Sequence, residues 1–110
     1  MKLPRGVDAI IDPRKLLEYA LSFDHDDGKH KAALFREVLG ITGETADRLI
    51  QGLHEAAAHG DTTPGRRDRY GQRYQIDFDF SGPVGRAVVR SVWIVTEGET
   101  VPRLVTCYIL

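Results

Sequence analysis

Apolar residues recur at helical spacing through the first half of the chain and at strand spacing through the second. In "IIDPRKLLEYAL", Asp12 can accept from free backbone N–H groups, and Pro13 suits a first helical position, where its missing N–H goes unnoticed. Leu16, Leu17, Ala20 and Leu21 form the stripe of this first predicted helix, which should fail near Ser22. A second helix is predicted from about Gly28 to Leu39, burying Ala32, Phe35, Val38 and Leu39, with Gly40 as the residue that ends it. Thr42 caps a third, with Glu44 favoured in its first turn by the helix dipole. Ala46, Leu49, Ile50, Leu53, Ala56 and Ala57 make its stripe, and it stops at His59 and Gly60.

After Gly60 the period changes. "DTTPGRRDRYG" reads as a polar linker with Pro-Gly turn chemistry. "QRYQIDFDF" then alternates strictly, with Tyr74, Ile76, Phe78 and Phe80 on one face and Arg73, Gln75, Asp77 and Asp79 on the other, as a strand wet on one side does. "RAVVRSVWIV" is apolar on both faces apart from Arg86 and Arg90, the mark of a central strand. "VPRLVTCYIL" is a further strand, with Pro102 tolerated near its start because it has no ladder donor to lose. Short turns, "SGPVG" and "TEGE", join these strands, so an antiparallel meander is expected. The prediction is an α+β domain spanning residues 1–110: three helices over residues 12–59, packed on a three- to four-stranded antiparallel sheet over residues 70–110.

Composition adds bounds. A chain of 110 residues with 42% hydrophobic and 28% charged residues suits one ordinary globular core. The net charge of -1 leaves any polyanion partner to local clusters. Cys107 is the only cysteine, which excludes an intrachain disulfide and fits a reducing compartment. The apolar run in "MKLPRGVDAII" is too short for a signal segment, and no run suits a membrane span. The expectation is a cytoplasmic protein with no membrane partner, or else the delivered piece of something exported by another route.

Three features carry candidate chemistry. "DHDDGKHK" reads either as a solvated loop capping the second helix or as a phosphate-directed site. In the second case His25 shuttles a proton near neutral pH, while Lys31 and the helix amides attract anionic oxygens. Asp24, His25 and Asp26 are adjacent and have no partner ligands at metal-site spacing, so neither a metal nor a cofactor is expected. "GRRDRYGQRYQ" interleaves Arg66, Arg67, Arg69 and Arg73 with Tyr70 and Tyr74, a pattern that suits single-stranded RNA and equally suits a flexible loop. Arg90, in an otherwise apolar strand, must be paired or aimed at an anion; a salt bridge to Asp77 or Asp79 is the plain alternative to a site. Thr106 and Tyr108 share a face of the last strand and can bring hydroxyls to that site, while Trp93 and Cys107 read as core.

With these segments in view, the chain resembles an uncharacterised bacterial domain family with the motifs KLxxYLL, HPxGxxKAxFF, YGxxYxV, GRxAxVxxVWI and PRLVTxYP. The resemblance runs from Asp12 to Tyr108 and falls on Lys15, Leu16, Tyr19, Leu21, His25, Gly28, Lys31, Ala32, Phe35, Tyr70, Gly71, Tyr74, Trp93, the run Pro102 to Thr106, and Tyr108. Asp26 and Ile109 stand where the family has prolines. Such domains are similar in turn to the barnase–EndoU–colicin–RelE group of small ribonucleases, many of them toxin tips. That similarity implies catalytic roles for His25, Lys31, Arg90, Thr106 and Tyr108, RNA as substrate, and a cognate inhibitor or antitoxin protein as partner. The alternative is a non-catalytic binding module of a toxin–antitoxin or immunity pair.

Overall fold

The computed structural model describes residues 1–17 and 29–110. Tyr19, His25 and the whole "DHDDG" segment therefore lie outside the described residues. The first helix opens as expected: α1 (Pro13–Lys15) has the Asp12 carboxylate accepting from the Arg14 N–H at 3.0 Å. Leu16 is buried but Leu17 is 45% exposed, so the two do not both face the core.

Helix α2 (Lys29–Leu34) continues into one wider, π-helical turn over Phe35–Leu39. Gly40 ends it in the left-handed region at φ 72, its N–H bonded to the Arg36 carbonyl at 2.9 Å. A methyl group there would press on the Val84 side chain, so glycine is required by both backbone and packing. The wide turn also shifts the phase of the apolar stripe: Phe35 and Leu39 are buried, whereas Val38, expected inside, is 36% exposed. Thr42 precedes a 3₁₀ turn, Gly43–Thr45, and donates its N–H to the Thr45 hydroxyl at 2.9 Å. Helix α3 (Ala46–His59) follows, burying Ala46, Leu49, Leu53, Ala56 and Ala57.

The sheet is a four-stranded antiparallel meander in the order β1 (Thr62–Asp68), β2 (Gly71–Ser81), β3 (Arg86–Thr96), β4 (Arg103–Ile109). Strand β1 corrects the sequence reading of residues 61–71 as a linker. It is an edge strand that buries Thr62 and leaves nearly all its other side chains exposed or half-exposed, so it carries no periodic signal. The Thr62 N–H points outward to the Met1 carbonyl at 2.8 Å, so Pro64, two residues on, faces the same way and costs no ladder bond. A bulge between Pro64 and Arg67 absorbs the remaining irregularity.

One face of the sheet carries Ile76, Phe80, Val89, Ser91, Trp93, Leu104 and Cys107 into a core shared with Phe35, Leu39, Leu49 and Leu53. Trp93 is fully buried, and its indole N–H donates to the Ser91 hydroxyl at 2.9 Å, which donates in turn to the Ile76 carbonyl at 2.9 Å. That relay satisfies polar groups that would otherwise be stranded in the core. A second bulge, in β4, puts Leu104 opposite Trp93 and Thr106 opposite Val92, so Leu104 enters the core while Thr106 lies on the other face. No described helix is long and apolar enough to cross a membrane.

Candidate functional site

The strand register lays out the face opposite the core as rows of neighbours. Asp77, Arg90 and Tyr108 form one row across β2, β3 and β4, and Gln75, Val92 and Thr106 form the next. Helix α2 meets this face at the β4 edge, where Lys31 reaches over it. Its ammonium donates to the Thr106 hydroxyl at 3.1 Å and sits 5.5 Å from the centre of the Tyr108 ring.

Arg90 takes the plainer of its two readings and keeps the other within reach. Its Nε and Nη2 donate to the two carboxylate oxygens of Asp77 at 2.8 and 2.9 Å, a forked pair fixed by direct cross-strand register. Asp79, the other candidate partner, lies opposite Val88. The guanidinium is held above its ordinary pKa, first by Asp77 and then by Tyr108, its cross-strand neighbour on β4. Conversely, the bond from Arg90 holds the Asp77 carboxyl below the usual carboxylate range. Lys31, Arg90, Thr106 and Tyr108 therefore stand together, two cations and two hydroxyls on a half-exposed surface with a single carboxylate of the described residues among them. Among the described residues Lys31 has no carboxylate partner.

Beneath the site, burial pushes the Cys107 thiol up to about 12, with Lys31 opposing weakly, so it stays a neutral core group. Among the described residues no group of three His, Cys, Asp or Glu side chains is placed to hold a metal ion.

The arginine-rich stretch occupies the β1–β2 hairpin at one end of the sheet. Arg66 and Arg73 share one oxygen of Asp68, at 3.1 and 3.0 Å. Asp68 is held below the usual carboxylate range chiefly by the Tyr70 backbone N–H, with Arg73 and Arg66 adding to it. Arg69 stacks 4.9 Å from the Tyr70 ring centre and donates to its hydroxyl, while Arg67 is exposed on β1. Of the five predicted RNA-binding residues, Arg73 lies on the same sheet face as Arg90, four residues along β2 from Asp77, or about 13 Å, and Arg66 reaches the same Asp68 oxygen from β1. Arg103, which carried no sequence signal beyond its motif, also lies on that face, opposite Ile94. A separate cavity of about 490 Å³ lies between α3 and β2, lined by Arg48, Glu55, His59, Phe78 and Phe80 among others, and holds none of the predicted residues.

The profile of the family described as "Domain of unknown function (DUF6883)" matches residues 2–110. No curated protein matches the chain. Among solved structures, it is similar to a chain of a "Contact-dependent growth inhibition toxin - immunity protein complex from Klebsiella pneumoniae 342". The TM-score is 0.70 at 19% sequence identity, covering 92% of this chain and 99% of that one. At that identity the likeness is one of fold.

Proposed function

This chain belongs to the family of domains of unknown function DUF6883, and we propose that it is a metal-independent, endoribonuclease-like domain of the toxin type. One observation carries the reading: Lys31, from the helical half, stands on Thr106 and Tyr108 of the last strand beside Arg90. Convergence of cations and hydroxyls from distant parts of the chain on an accessible surface is what stabilising a phosphorane requires. In this scheme the RNA 2′-hydroxyl, losing its proton to a base, attacks the adjacent phosphorus. The new P–O2′ bond forms as the P–O5′ bond breaks, and the 5′ oxygen takes up a proton. Lys31 and Arg90 bear the charge on the non-bridging oxygens, and Thr106 and Tyr108 orient them. His25, which precedes α2 in the sequence, is the acid–base group.

Such an activity has to be restrained in its host, so a cognate inhibitor protein is the partner and the cytoplasm the place of action. The test is expression alone and with the neighbouring gene: growth arrest that the neighbour relieves supports the reading. A second reading, a non-catalytic immunity-like module, is favoured by the forked Arg90–Asp77 pair, which already occupies most of that guanidinium. Harmless high-yield expression of folded protein supports the second reading.

A further inference from the structure

The register that builds the site continues along the same face. Two rows from Asp77–Arg90–Tyr108 stands Arg73–Ile94–Arg103, with an arginine on each side of an apolar side chain. Between them lies the row Gln75–Val92–Thr106, amide, apolar and hydroxyl, with no charge. Among the described residues positive charge exceeds negative at both ends. Arg66 and Arg73 share Asp68, Arg103 pairs with Glu99 at 3.5 Å on the far side of the row, and Lys31 with Arg90 faces the one described carboxylate, Asp77. In the opposite direction the next row presents Asp79 and Val88, which offers a phosphate only repulsion before Arg86 at the strand's end.

Resting on the nuclease reading, we infer that Arg73 and Arg103 form a second phosphate subsite, so that the substrate is single-stranded RNA lying along β3. One phosphate sits at Lys31 and Arg90, and a further one lies about 13 Å away at the Arg73–Arg103 row, four residues along the strand. Sugar and base contact the Val92 and Ile94 floor between them. A duplex is rigid and stacked, whereas an unstacked single strand can lay bases on such a floor. The subsite selects chain length: a dinucleotide reaches the first row only.

The test uses a fluorescent single-stranded RNA of about eight nucleotides, within the span such surfaces cover, with 2′-O-methyl groups so that it cannot be cut. Anisotropy titrations at several salt concentrations compare wild type, Arg73→Gln/Arg103→Gln and Arg86→Gln, and cleavage of the unmethylated oligonucleotide is followed in parallel. The double variant should bind about tenfold or more weakly and lose about 0.7 from the slope of log affinity on log salt, the value for one phosphate neutralised on a single strand. Arg86→Gln should stay close to wild type. Where the double variant melts early, Arg103→Gln alone gives the same reading with one contact, since that side chain is 47% exposed. Equal binding by wild type and the double variant, an equal loss from Arg86→Gln, or no RNA binding by wild type overturns the subsite. Weakened binding without cleavage of the unmethylated RNA keeps the subsite and overturns the catalytic reading instead.

Discussion

Lys31 and Thr106, separated by 75 positions in the chain, meet at 3.1 Å where α2 crosses the β4 edge. This contact joins the helical half to the open face of the sheet and makes Lys31 the cation best placed to act there. Replacing it by methionine keeps the hydrocarbon stem over the Tyr108 ring and removes the charge. Stability measured in denaturant should change by less than about 1 kcal/mol, as a half-exposed site with no ion pair among the described residues implies. A larger loss would make Lys31 a structural residue.

The Asp77–Arg90 pair should appear in the pH dependence of folding. Because Arg90 depresses the Asp77 pKa in the folded state, the pair's stabilisation is present above the unfolded value of about 3.9 and is lost as pH falls through the folded pKa. Asp77→Asn should therefore be less stable than wild type at pH near 7, by at most about 1 kcal/mol given solvent screening, and should match it once pH falls well below the folded value. A difference that persists in acid would assign the effect to packing.

Trp93 anchors the core beneath the site. Trp93→Ala should cost about 3–5 kcal/mol, and Ser91→Ala about 1–3 kcal/mol, because it strands the indole N–H and leaves the Ile76 carbonyl without its side-chain donor. Urea unfolding measures both, and a Ser91→Ala variant as stable as wild type would show that the relay contributes nothing.

Cys107 should resist thiol reagents in the folded protein, since it is buried and its thiol is pushed up to about 12. Labelling should follow global unfolding and accelerate with denaturant. Rapid labelling under native conditions would mean that β4 opens locally.

The legible parts of the fold are those where a local rule decides. The Asp12–Pro13 start, the Gly40 stop and the alternation from Tyr74 to Phe80 each act within a few residues. Strand β1 was hidden because an edge strand burying little beyond Thr62 has no pattern, and its Pro-Gly pair signals a turn. Val38 was misplaced because the π-helical turn is a departure from the period used to find it. Placing Thr106 beside Tyr108 needed only strand alternation, but that rule also puts Leu104 on their face; the β4 bulge, set by tertiary pairing, sends Leu104 to Trp93 instead. The approach of Lys31 depends on how α2 docks, which periodicity does not encode, and Arg103 became visible as a neighbour of Ile94 only through the register.

In the proposed mechanism Lys31 serves chemistry at a phosphate. Purified wild type and Lys31→Met, both checked for folding, are incubated with total RNA in EDTA and the product ends are analysed. Wild type should cleave to 2′,3′-cyclic phosphate ends, and the variant should lose about 100- to 1,000-fold, the scale of removing one charge-stabilising donor. Equal cleavage by the two proteins, or RNA left intact by folded wild type, would contradict it.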